Sequence, residues 1–183
     1  MCTICSAPVW YERRGAPAMN TRAAQVRVLV LDVDGVLTDG RLYYGARGEA
    51  LKVFHVRDGA GLKQLAKAGI TVAVISGRRS NMTRLRCREL GIRHLMQGID
   101  DKAAALKRLC ARLGVTPAEC ACVGDDTPDI ALMRLAGLAF AVADAHPEAR
   151  QAAHLITTRP GGQGAVREVC DHLLAARCGA ESA

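Results

Sequence analysis

Three short apolar runs rich in β-branched residues, VRVLVLD (26–32), ITVAVIS (70–76) and CACVGD (120–125), each end in polar residues, and helical patterns separate them. That alternation leaves few options, because strands joined by helices pair in parallel and form a sheet covered on both faces. AGLKQLAKAG (60–69) and KAAALKRLCARLG (102–114) carry apolar residues at helical spacing, as in Leu106, Leu109, Cys110 and Leu113. Gly69 and Gly114 stand where helix C-caps are expected. LAFAVA (138–143) and HLIT (154–157) predict two further strands, and residues 165–177 a last helix. The predicted fold is α/β, a Rossmann-like parallel sheet flanked by helices.

One segment breaks the rhythm. In GRLYYGARGEALKVFH (40–55) two β-prone stretches straddle Gly45-Ala46-Arg47-Gly48, which predicts a β-hairpin inserted after the first strand. There is no internal repeat and no sign of a second domain. We expect a loose leader over 1–25, one domain over 26–178 and a short tail over 179–183. With 183 residues, 50% of them hydrophobic, a single packed core is attainable, and 1 Trp, 3 Tyr and 2 Phe make that core aliphatic.

The net charge of +7 comes from dispersed Lys and Arg with few aromatics between them. Single-strand nucleic-acid binders interleave basic residues with stacking platforms, so no nucleic-acid partner is expected. No run has the length of a membrane span, and the leader lacks the apolar stretch of a secretory signal, so a cytoplasmic protein is expected, without a membrane partner. Of the eight cysteines, Cys87, Cys110, Cys120 and Cys122 fall in helical or strand patterns and read as buried thiols. Cys2-x-x-Cys5 has the spacing of a metal-ligand pair without a matching second pair; a disordered end is the alternative.

Chemistry gathers at the strand ends, which is where ligands bind in parallel sheets. Asp32-Val33-Asp34-Gly35-Val36-Leu37-Thr38-Asp39 ends the first strand, and period-2 geometry lets Asp32 and Asp34 approach one locus. Two close carboxylates repel, and a divalent cation removes that cost; hard oxygen ligands favour Mg²⁺. Gly124-Asp125-Asp126-Thr127-Pro128-Asp129 brings more acids to the same edge. Asp126 or Thr127 also fits a helix N-cap, which accounts for one residue and not for three acids. Ser76, with Gly77 and Arg78 after it, offers a hydroxyl and backbone N–H groups suited to phosphate oxygens. Lys102 opens a helix, where the dipole disfavours a cation; a solvated lysine is the alternative there. Gly161-Gly162-Gln163-Gly164 on composition alone reads as a flexible connection.

Taken in order, DxDGVLTD, a strand ending in Ser, an isolated Lys and GDDxxD resemble the four motifs of the haloacid dehalogenase superfamily over residues 26–143. The resemblance implies Asp32 as nucleophile, Asp34 as general acid and base, and Ser76, Gly77 and Lys102 as phosphate binders. It implies a Mg²⁺ ion held by Asp32, Asp125 and the main-chain carbonyl of Asp34. The spaces between Asp39 and Ser76 and between Ser76 and Lys102 are too short for the cap domain common in that superfamily, so the fold is expected to be capless.

More specifically, LDVDGVLTDGRLYYGARGEALKVFHVRDG, ISGRRS, RCRELGI, GDDTPD, AVADAHPEAR and GGQGAVREVCDHLL resemble the 3-deoxy-D-manno-octulosonate 8-phosphate phosphatases, a capless tetrameric branch. That resemblance implies a sugar acid phosphate substrate in lipopolysaccharide precursor synthesis, and a homotetramer whose hairpins and C-terminal segments close neighbouring sites. It gives the Gly161–Gly164 loop a part in closing the site. It implies substrate contacts at Asp34, His55, Val56, Arg57, Asp58, Gly59, Lys63, Arg78, Arg86, Lys102 and Asp126. Arg forks suit a ligand bearing both a carboxylate and a phosphate, although Arg86 beside Arg84 and Arg88 otherwise reads as a solvated helix face. Lys63 and His55 depart from the Arg and Asn usual in that branch. Phosphatases of nine-carbon sugar acid phosphates keep the same motifs and are the alternative.

Overall fold

The computed structural model describes residues 11–12 and 16–180. In chain order the elements are β1 (Tyr11–Glu12), α1 (Ala16–Ala24), β2 (Val28–Leu31), β3 (Tyr43–Gly45), β4 (Gly48–Leu51), α2 (Val56–Lys67), β5 (Thr71–Ser76), α3 (Asn81–Leu90), β6 (His94–Gln97), α4 (Lys102–Leu113), β7 (Cys120–Gly124), α5 (Ile130–Leu135), β8 (Leu138–Ala141), α6 (Pro147–Ala152), β9 (Leu155–Ile156) and α7 (Ala165–Ala180). The main sheet runs β1-β9-β8-β7-β2-β5-β6. All pairs from β9 to β6 are parallel, while β1 lies antiparallel on β9. Counted among the parallel strands alone, this is the 3-2-1-4-5-6 order of a doubly wound sheet, with β2 at the point where the winding reverses.

β2, β7 and β8 are buried on both faces, which is why their sequences read as unbroken apolar runs rather than alternating ones. Phe140 is the one aromatic among the fully buried described side chains, so the core is aliphatic as its composition requires. Cys87, Cys110, Cys120, Cys122 and Cys170 are buried free thiols. Cys2 and Cys5 lie outside the described residues.

The hairpin β3–β4 forms a separate two-stranded sheet after β2. Among the described residues no further domain is inserted between β2 and β6, in keeping with a capless fold. Three expectations need correction. The leader is not loose up to residue 25: α1 buries Met19 and Ala23, and with Val26 these follow the i, i+4, i+7 spacing of an apolar helix face. α2 begins at Val56 rather than near residue 60, because His55 caps it, its Nδ1 accepting from the Arg57 N–H at 3.2 Å. The last helix passes the expected domain end at 178 and runs to Ala180.

Candidate active site

The central strands β2, β5 and β7 are neighbours, so their carboxyl ends deliver Asp32, Ser76 and Asp125 to one edge. The Asp32 N–H continues the ladder by donating to Val123 O at 3.1 Å. Gly35 turns the chain at φ +87°, and the Asp125 carboxylate occupies the space where a Cβ of residue 35 would stand. Only glycine permits that approach.

Lys102 is the hinge of the site. It occupies the first turn of α4, whose N-cap Asp101 accepts from the Ala104 N–H at 2.8 Å. Its side chain is buried, and Nζ donates to Asp32 Oδ1 at 2.8 Å and to Asp129 Oδ1 at 2.6 Å. The solvated-lysine alternative is therefore excluded. Burial works against its charge, but Asp32 and Asp129 outweigh burial and hold its pKa above the ordinary lysine value. Asp129 turns its other oxygen to the N–H groups of Asp125 and Asp126, at 3.0 and 3.3 Å. Asp126 caps the following 3₁₀ turn, accepting from the Thr127 N–H at 2.7 Å, so the cap reading holds for that residue.

The carboxylates of Asp32, Asp125 and Asp129 offer oxygens within 4.8 Å of one another. Burial, with the charge of Asp129, pushes Asp32 up to about 6 despite Lys102. Burial and the charges of Asp32, Asp129 and Asp126 push Asp125 up to about 8. One lysine thus undercompensates the cluster, and both Asp129 oxygens are already engaged. The free oxygens of Asp32 and Asp125 suit a hard divalent cation, which removes the repulsion that raises both pKa values.

Ser76 is buried at the end of β5, its Oγ accepting from the Arg78 N–H at 3.3 Å, and Gly77 is exposed beside it. Asp34 is not one of the three clustered acids: its carboxylate pairs with Lys52 and with Arg78, the latter at 3.7 Å. Arg86 is not a solvated arginine. Its side chain is 18% exposed, lies 5.8 Å over the Phe54 ring, and fills the space a Cβ at Gly59 would need. Phe54, Val56 and Arg86 line a groove between α2 and α3. The side chains of Arg57 and Lys63 are exposed on α2 and form no side-chain hydrogen bond or ion pair among the described residues. Asp58 is buried: its Oδ1 accepts from the Arg167 N–H of α7 at 2.8 Å, and its Oδ2 has no hydrogen-bond partner among the described residues.

The glycine loop is packed, not a flexible connection. The Gly162 N–H donates to Val36 O at 2.9 Å, and Cβ atoms at Gly161 and Gly162 would meet the backbone of Gly35, Thr38 and Asp39. Asp144 accepts from the Gly161 N–H at 2.9 Å, and Glu168 accepts from Thr158 and Arg159. The loop that follows Asp32 is thereby backed by residues 161–162.

A family model described as haloacid dehalogenase-like hydrolase matches residues 92–168. A Yersinia pestis protein named 3-deoxy-D-manno-octulosonate 8-phosphate phosphatase is 49% identical over 156 residues, covering 85% of this chain and 83% of that protein. The chain belongs to that phosphatase family. A Salmonella typhimurium relative of the same name is 46% identical over 94% of this chain and 89% of its own length. The crystal structure of the Moraxella catarrhalis phosphatase of that name, in complex with a magnesium ion, a phosphate ion and KDO, superposes with a TM-score of 0.88 at 40% identity, covering 92% of this chain and 97% of that one.

Reading the sequence left Asp129, Lys52 and Glu49 without a part in the site. Asp129 carried a signal, as the third acid of GDDTPD. Lys52 and Glu49 carried none, because only the fold of the hairpin brings them to Asp34.

Proposed function

We infer that the chain is a Mg²⁺-dependent phosphatase that hydrolyses 3-deoxy-D-manno-octulosonate 8-phosphate to the free sugar acid and phosphate. The observation that carries the reaction is Lys102, buried at a helix start between Asp32 and Asp129. An isolated buried ammonium there serves an anionic reaction centre at the sheet edge. The relatives named for this substrate, at 46–49% identity, favour it over the nine-carbon sugar acid phosphates.

The Asp32 carboxylate attacks phosphorus in line, forming an aspartyl-phosphate as the bond to the sugar oxygen breaks, and Asp34 gives its proton to the departing alkoxide. Water then attacks the same phosphorus, Asp34 accepts its proton, and Asp32 is released. Ser76 Oγ and the Gly77 N–H suit the phosphoryl oxygens, while Lys102 offsets their charge. Asp32, Asp125 and the main-chain carbonyl of Asp34 would hold Mg²⁺, with Asp129 fixing Asp125 from behind. When bound, that ion supplies charge neutralisation for the nucleophile and the phosphoryl group. Arg78, Arg86, Arg57 and Lys63 are the groups proposed to meet the carboxylate and hydroxyls of the sugar acid, together with residues 55–59 and Asp126.

Assembly as a homotetramer is part of the same proposal. Leu42, Tyr44, Leu51 and Val53 of the hairpin segment are all at least 45% exposed, an apolar surface suited to a neighbouring subunit that closes the uncapped site. Among the described residues no helix is long and apolar enough to cross a membrane, and a cytoplasmic location is proposed.

Phosphate release from a panel of sugar acid phosphates and hexose phosphates, with Mg²⁺ or with EDTA, tests the reading. We expect octulosonate 8-phosphate to lead and EDTA to stop turnover. A preference for nine-carbon 9-phosphates would move the substrate and spare the chemistry; no Mg²⁺-dependent release from any compound would refute the reaction.

A further inference from the structure

Lys52 is out of place for its neighbourhood. Ala50, Leu51 and Val53 beside it are exposed, yet the Lys52 side chain is 2% exposed. Its ammonium pairs with Asp34 and lies 3.1 Å from Glu49 Oε1. Glu49 accepts from Ser80 Oγ at 2.6 Å and receives Arg78 at 3.5 Å. Ser80 is in turn locked to β6, its N–H donating to Gln97 Oε1 at 3.1 Å and its carbonyl accepting from Gln97 Nε2 at 3.0 Å. A chain of polar contacts thus runs from the sheet through Gln97, Ser80 and Glu49 to Lys52, and ends on Asp34.

Apart from Lys52 and Arg78, no side chain among the described residues is hydrogen-bonded or ion-paired with the Asp34 carboxylate. Arg78 is the longer contact and 42% exposed, leaving Lys52 as the close, water-excluded partner. A half-buried aspartate on a loop otherwise samples several rotamers, and proton transfer to a leaving group requires one of them. We propose that Lys52 is a positioning residue for the reaction, held by Glu49, which fixes the Asp34 carboxylate where it meets the leaving-group oxygen. The hairpin thereby contributes to catalysis within its own subunit. This inference rests on the reading of Asp34 as the general acid.

The alternative is that Lys52 only pins the hairpin. The two differ in how the loss depends on the leaving group, because an acidic phenol departs without a proton and a poor one does not. The test is kcat/KM, which reports the steps through first bond cleavage, for substituted phenyl phosphates of similar shape and for octulosonate 8-phosphate, with wild type, Lys52→Met and Asp34→Asn. For Lys52→Met we expect a loss of at least about 30-fold on phenyl phosphate and on the sugar acid phosphate, within the range of general-acid contributions, and less than about threefold on 2,4-dinitrophenyl phosphate. Asp34→Asn should show the same pattern, more steeply. An equal loss across the series for Lys52→Met, with the steep pattern kept in Asp34→Asn, would overturn the proposal and leave the role of Asp34 standing. A flat series in Asp34→Asn overturns both. If Lys52→Met does not fold, the double variant Glu49→Gln/Lys52→Met, which leaves no unpaired glutamate, is read by the same criteria.

Discussion

Asp129 Oδ1 lies 2.6 Å from Lys102 Nζ, and the two side chains are 1% and 5% exposed. Asp129 is therefore fixed by a buried cation on one oxygen and by two backbone N–H groups on the other, and it aligns both Lys102 and the Asp125 loop. Removing Asp129 leaves Lys102 to Asp32 alone and strips the backbone N–H groups of Asp125 and Asp126 of their acceptor, which costs more than losing an exposed ion pair.

Asp129→Ala is accordingly expected to cost about 3 kcal/mol of stability, a fall of about 10 °C in melting temperature for a chain of this length. The Mg²⁺ concentration for half-maximal phosphate release should rise by about 10-fold to 100-fold, the usual effect of losing a residue that orients a metal ligand. Scanning calorimetry and a Mg²⁺ titration of activity check both.

Asp32→Asn keeps an oxygen for Lys102 and removes the nucleophile. Turnover should fall by at least about a thousandfold, with the melting temperature in EDTA changed by less than about 5 °C. A variant retaining near-normal phosphate release would remove Asp32 from the chemistry.

Metal-free stability should depend on pH with a definite sign. Asp32 and Asp125 bind protons more tightly when folded than at their ordinary value of 3.8, so their stabilisation is complete below that value and is lost as pH rises through about 6 and about 8. In EDTA the protein should melt lower at about pH 9 than at about pH 6. Mg²⁺ displaces these protons, so its apparent affinity should weaken by up to about tenfold per pH unit below the Asp125 pKa. Melting curves with and without Mg²⁺ at the two pH values decide the sign.

Gly161→Ala places a methyl group against the Gly35 carbonyl. Overpacking of this kind costs about 1–3 kcal/mol, and a shift of the nucleophile loop by a fraction of an ångström should lower kcat by at least about tenfold. Far-UV circular dichroism should be unchanged, since α7 starts beyond the clash.

The sheet and most of the site were legible because their signals are contiguous. Asp32 follows β2, Ser76 ends β5 and Asp125 follows β7, and the order of the sheet alone delivers the three to one edge. Lys102 was ambiguous in sequence, since a lysine at a helix start reads equally as surface; the 70 residues that separate it from Asp32 are crossed only by the fold. Glu49 and Lys52 were silent for the same reason, as the hairpin has to turn back over Asp34 before their charges have partners. α1 was under-read although Met19, Ala23 and Val26 carry a helical apolar spacing, because a single face without a visible partner does not announce what it packs on. Asp58 was read with the substrate residues; the fold also ties one of its oxygens to Arg167 of α7, a partner 109 residues away that the sequence does not announce.

The packing of Gly161 and Gly162 on the loop that follows β2 sets an order of events during synthesis. The surface that shapes the loop after Asp32 is made about 130 residues after Asp32 itself, a delay of about 6–26 s at ordinary elongation rates. A nascent chain ending before residue 160 carries Asp32 and the hairpin without the glycines that back the loop after Asp32. No chain cut short of those glycines should hydrolyse phosphate.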